Sequence, residues 1–149
     1  MHHAPAFRNK LRSGQVCFGT ATTSTDATLS EALASVLDFI WVDAEHAALS
    51  LETVQAHAIA VRAACKPFLV RVGWNDPVLV KPVLDLGADG IIVPLIRTAE
   101  DARRAVAACK YPPEGVRGFG PRRANNYGGD GGGPEYCQKA HASVFIVVQ

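Results

Sequence analysis

The sequence contains no stretch of about 18 consecutive apolar residues, so it gives no sign of a membrane-spanning helix. It also lacks an excess of either charge: 15 Lys and Arg stand against 14 Asp and Glu, a formal net charge of +1. That balance argues against general nucleic-acid binding, which needs a strongly basic face. No two of its four cysteines, Cys17, Cys65, Cys109 and Cys137, are close enough for a paired-cysteine motif. The opening residues carry no apolar core of signal-peptide length, so the thiols read as reduced and mostly buried, in a cytoplasmic protein. No dinucleotide fingerprint is present. The Gly-rich run at 128–133 lacks the Lys-Ser/Thr of a phosphate loop and reads as a flexible linker.

What is present is apolar. Hydrophobic residues make up 48% of the 149 positions, enough for the core of one domain and too many for a disordered chain. Two kinds of segment alternate. Short β-branched runs at 16–20, 39–43, 68–72, 90–95 and 143–149 read as strands buried on both faces. Between them, 28–36, 50–64, 77–86 and 99–109 have helical spacing and start signals: Ser50, Asp76 followed by Pro77, and Thr98 followed by Asp101. Strand and helix alternate four times and a fifth strand follows, which predicts a parallel sheet with helical crossovers. Segment 111–134 breaks the rhythm with its Gly and Pro density, and we expect a long loop there on the substrate side.

Ligand sites of parallel sheets lie at the carboxyl ends of the strands. The polar residues expected at those ends are Asp43, Glu45 and His46 after the second strand, Arg71 on the third and Gln149 on the fifth. His46 is the candidate general base, because imidazole titrates near neutral pH. Arg71 at the end of a core strand needs an anionic partner, either a structural carboxylate or a substrate carboxylate or enolate. Asp85, late in a helix where acids are unfavourable, is either solvated or held by a cation or a histidine. Asp43 and Glu45 are possible metal ligands, but two acids do not define a site. Arg117, Arg122 and Arg123 bring further positive charge to the long loop.

The stretches WVDAEHAALS, VRVGWNDPVLVKPVLDLGADGIIVPLI and YPPEGVRGFGPRRANNYG, in that order, resemble the HpcH/HpaI aldolase family. FRNKLRSGQVCFGT and VFIVVQ resemble the family's first and fifth strands. The resemblance implies an α/β fold, a (β/α)8 TIM barrel of the phosphoenolpyruvate/pyruvate type, represented over 1–149 by about five βα units. It implies reversible aldol cleavage of a 4-hydroxy-2-oxo acid to pyruvate and an aldehyde. It also implies a divalent metal (magnesium, manganese or cobalt) and a homo-oligomer, with no nucleic acid or membrane as partner. Carried over by the resemblance, His46 and Asp85 are a catalytic pair, Arg71 and Gln149 bind substrate, and Asp43 supports them. The family's metal-binding Glu and Asp match no position of this sequence, so no metal ligand is assigned and impaired activity is expected. The alternative reading is a non-catalytic α/β module that binds a small anion or a partner.

Overall fold

A computed structural model describes residues 3–149. In chain order the elements are α1 (Ala4–Arg12), β1 (Gly19–Thr22), α2 (Ala27–Ala34), β2 (Phe39–Asp43), α3 (Leu51–Ala63), β3 (Phe68–Arg71), α4 (Pro77–Asp85), β4 (Gly90–Val93), α5 (Ala99–Cys109), α6 (Gly133–Ser143) and β5 (Phe145–Val148). The five strands form one parallel sheet in the order β1-β2-β3-β4-β5. This is the expected α/β class, four βα units and a fifth strand of a barrel-type fold. No helix among the described residues is long and apolar enough to cross a membrane.

Local chemistry explains the helix starts. The side chains of Asp26, Ser50 and Asp76 accept from backbone N–H groups in the first turns of α2, α3 and α4, satisfying donors that the helix leaves open. Thr98 and Asp101 form a reciprocal capping box at α5. The strands use their period of two to make two different faces. Ile40, Val42, Phe68, Val70, Ile91 and Val93 are fully buried against the helices and form the main core. The opposite, concave face presents Phe39, Trp41, Leu69, Ile92, Phe145 and Val147 around a cavity of about 610 Å³.

One end of this concave face is closed by α1. The Phe7 ring lies 5.1 Å from Phe39 and 5.4 Å from Phe145, and the Arg8 guanidinium covers Phe145 at 4.6 Å. Arg8 also donates to the carbonyls of Ala142, Ser143 and Val144, which ties α1 to the end of α6. Gly90 makes room for this aromatic layer: a Cβ there would stand 2.5 Å from Phe145 Cβ and 2.6 Å from Leu69 Cδ2.

Three expectations need correction. The first strand begins at Gly19 rather than 16, because its pairing with β2 starts at Gly19 opposite Phe39. Two helices, α1 and α6, were not anticipated. The third correction concerns segment 111–134. It connects α5 to α6 and β5, and in a strand–helix alternation the end of a helix lies at the amino edge of the sheet. The segment is therefore opposite the carboxyl edge, not on the substrate side. Its anchors agree: Val116 N donates to Ala107 O, Arg117 N to Lys110 O and Ala124 N to Asp85 O, all at helix ends. It packs its own small core of Tyr111, Ala124, Tyr136 and Ala140. The Gly run is likewise not a free linker, since a 3-10 turn at Asn126–Gly128 runs into its first residue and α6 begins at its last.

Candidate active site

At the carboxyl edge, Asp43 ends β2 and directs the chain that follows. Its Oδ1 accepts from the backbone N–H of Glu45 at 3.0 Å and of His46 at 3.2 Å. This is an Asx-type turn, in which a carboxylate takes over donors that leave the ladder. It explains the D-x-E-H spacing: a single buried acid presents Glu45 and His46 together beside the sheet. The parallel register places Arg71 of β3 directly opposite Asp43. Arg71 closes a two-point fork, Nε to Oδ1 at 3.1 Å and Nη2 to Oδ2 at 2.6 Å. The Arg71 hydrogen bond holds the Asp43 carboxyl down at about 2, against an ordinary 3.8, despite its burial.

Arg71 has a second acid. Glu45 Oε2 lies 3.2 Å from its Nε, and the same oxygen lies 3.6 Å from His46 Nε2. Beneath the guanidinium, the Trp41 ring lies 5.1 Å away, two residues before Asp43 on the same strand face. The last contact, Nη1 to Gln149 Oε1, is long at 3.4 Å. Gln149 itself is held by its backbone, its N–H donating to Val93 O and its carbonyl accepting from Ile96 N. With Oε1 turned to Arg71, the Gln149 amide keeps its NH₂ for another acceptor. The remaining N–H groups of Arg71 Nη1 and of Gln149 thus form a donor pair on the concave side, suited to a carboxylate or keto oxygen. His46 is far more open, with 71% of its side chain exposed against 14% for Arg71 and 15% for Glu45.

His46, Arg71, Gln149 and Asp43 are therefore brought together. Asp85 is not. It ends α4 at the amino edge, where its Oδ1 accepts from Arg117 Nη2 at 2.6 Å. The expected His46–Asp85 pairing is absent within the chain, because a helix that leaves β3 at the carboxyl edge ends at the other edge. A cation does hold Asp85, and that cation is a buried one, stacked 4.5 Å over the Tyr111 ring. Arg123 is structural too. Its guanidinium donates to Leu86 O and Ala58 O, joining α4 to α3. Arg122 lines the outer groove between those helices, next to Asp85 and Tyr127.

Sequence reading named Glu45 only as a metal candidate and missed Trp41; the Asp43-centred turn and the period of two were the available signals. The carboxylates of Asp43 and Glu45 are both committed to Arg71. Among the described residues, no group of three or more His, Cys, Asp or Glu side chains is placed to hold a metal ion. The residues present do not form a site for the divalent cation that the family resemblance implies. The four cysteines are free, but only Cys109 is fully buried, where burial pushes its thiol up to about 12.

Comparison with known proteins agrees with this picture. The family model described as HpcH/HpaI aldolase/citrate lyase matches residues 16–149. A 4-hydroxy-2-oxo-heptane-1,7-dioate aldolase of Salmonella dublin is 34% identical over 147 residues, covering 97% of this chain and 55% of the relative. The chain thus spans about half the length of the curated relatives it matches. Two solved structures are also similar. An HpcH/HpaI aldolase/citrate lyase family protein from Burkholderia cenocepacia J2315 has a TM-score of 0.85 at 32% identity, covering 97% of this chain and 58% of that one. The HpcH/HpaI aldolase from Desulfitobacterium hafniense DCB-2 has a TM-score of 0.83 at 30% identity, covering 95% and 55%.

Proposed function

The chain belongs to the HpcH/HpaI aldolase/citrate lyase family, and we propose that it carries the oxo-acid-binding edge of a carbon–carbon lyase. The substrate class is a 4-hydroxy-2-oxo acid, cleaved reversibly to pyruvate and an aldehyde. The observation that carries this reading is Arg71. It is fixed by Asp43, backed by Trp41, and left with donors beside the Gln149 amide.

The roles follow from where charge develops. Cleavage breaks the C3–C4 bond, and its electron pair becomes the enolate over C2 and C3. The guanidinium and amide donors meet the oxo-acid oxygens, and Arg71 offsets the growing enolate charge. The C4 hydroxyl loses its proton to His46 as the aldehyde departs. A later proton at C3 completes pyruvate. Asp85 can serve His46 only from a second copy of the chain, so its catalytic role requires the homo-oligomer expected of the family. We place this chemistry in the cytoplasm, in keeping with four unpaired thiols.

The test is pyruvate binding, followed by Trp41 fluorescence in a Trp74→Phe background. Pyruvate should perturb the signal, and Arg71→Met should weaken binding at least about tenfold by removing the fork. Equal binding by Arg71→Met, or none by the folded parent chain, refutes the proposal. A coupled assay for pyruvate release from a 4-hydroxy-2-oxo acid then separates a lyase from a module that only binds the anion.

A further inference from the structure

Resting on the oxo-acid reading above, we infer that the concave face is a tail groove. The site takes an oxo acid whose carboxylate end sits on Arg71 and Gln149 and whose far end is an unbranched apolar chain, directed down the inside of the sheet toward Phe7.

The parallel registers stack the inward side chains in layers. Asp43, Arg71, Ile92 and Val147 are successive register partners and form the upper layer. Two residues lower, Trp41, Leu69, Gly90 and Phe145 form the middle layer. Phe39 stands two residues lower again on β2. Each step is about 6.6 Å along a parallel strand. The Phe7 ring lies against Phe39 and Phe145 and closes the floor.

The chemistry changes once along this depth. The charge lies at the upper edge, where Arg71 and Gln149 offer donors and Asp43 and Glu45 bring carboxylates. Below Arg71, the described residues that line the cavity include no carboxylate, ammonium, guanidinium, hydroxyl or amide side chain. Arg8, near the floor, is spent on the carbonyls of Ala142, Ser143 and Val144. Phe39, Trp41, Ile92 and Phe145 are half-buried, and Val147 is 39% exposed. Covering that surface with methylenes is favourable. A second carboxylate or a row of hydroxyls would lose its hydration there without gaining a hydrogen bond. Charge complementarity therefore sets the orientation, head on Arg71 and tail down. The matching lyase substrate is a 4-hydroxy-2-oxo acid with an alkyl tail, which releases an aliphatic aldehyde.

The experiment is calorimetric titration of the intact chain with pyruvate, 2-oxobutanoate, 2-oxohexanoate, 2-oxooctanoate and 2-oxoadipate. Affinity should rise about threefold per added methylene from pyruvate to 2-oxooctanoate. 2-Oxoadipate has the carbon count of 2-oxohexanoate but ends in a carboxylate, and it should bind at least about tenfold more weakly. Val147→Asn puts an amide into the upper layer at an exposed position, where folding tolerates it. The ratio of 2-oxooctanoate to pyruvate affinity should then fall at least about tenfold. Pyruvate binding with no gain along the series, 2-oxoadipate as tight as 2-oxohexanoate, or an unchanged ratio in Val147→Asn overturns the inference and leaves the oxo-acid reading standing. A dimer that persists in sedimentation at saturating 2-oxooctanoate, with no gradient in affinity, assigns the face to a second copy and overturns the tail groove alone. A folded chain that binds none of the five acids overturns both.

Discussion

Replacing Asp43 by Asn tests the centre of the site with little change of shape. Asn keeps an acceptor for the Glu45 and His46 N–H groups but loses the charge that answers Arg71. The magnitude follows from linkage. The carboxyl stands at about 2 rather than 3.8 because Arg71 donates to it, and its side chain is only 7% exposed. At 1.36 kcal/mol per unit, the contact contributes about 2 kcal/mol to folding. The sign is that of a lowered carboxylate. Between the two values the unfolded chain binds more protons, so the contribution is complete above about pH 5 and is lost as pH falls toward 2. Asp43→Asn should therefore be about 2 kcal/mol less stable at pH 6, and that gap should shrink by about half by pH 3. Urea unfolding at pH 6, 5, 4 and 3, followed by Trp fluorescence, reads the gap directly. A gap that is the same at pH 6 and pH 3, or below about 0.5 kcal/mol throughout, refutes the assignment of Arg71 as the cause.

Other positions give separable outcomes. Gly90→Ala would set a Cβ 2.6 Å from Phe145 O and Leu69 Cδ2, so it should lower stability by about 1–3 kcal/mol in denaturant titrations. Buried His57 bonds Ser30 Oγ at 2.8 Å and Ser24 O at 2.9 Å, so His57→Leu leaves two groups unpaired and should cost about 3 kcal/mol. Asp85→Asn removes an acid that pairs with buried Arg117; limited proteolysis should then cut within 111–132 sooner, while Trp41 reports pyruvate binding unchanged.

The alternation of strands and helices was legible because burial imposes it locally. Val- and Ile-rich runs, cap residues and Pro77 each act over a few residues, and β2, α3, α4, β4 and α5 fall within about two residues of the reading. The long segment after α5 was not legible. Its Gly and Pro content signals turns, but its place at the amino edge depends on the direction in which α5 runs, and its small core depends on Tyr111 meeting Tyr136 across 24 intervening residues. Helix α6 was hidden because Pro134, a start signal at its first turn, follows a run of glycines. Within the site, Asp43, His46, Arg71 and Gln149 were visible as polar ends of apolar strands. The partner of His46 was not. Motif spacing ranks Asp85 and Glu45 alike as acids, and only the sheet edge on which each lies separates them.

The two withdrawn arginines show why the carboxyl edge is read as functional. Arg117 and Arg71 have side chains 3% and 14% exposed, so each needs compensation. Arg117 meets the Asp85 carboxylate and the Tyr111 ring, and among the described residues its Nε has no hydrogen-bond partner. That is a cation matched for packing. Arg71 is over-answered, by two acids, a ring and an amide, although it is the less buried of the two. Surplus negative charge beside a cation weakens any anion site built on it, so packing does not account for Glu45. It stands between guanidinium and imidazole, 3.2 Å from Arg71 Nε and 3.6 Å from His46 Nε2.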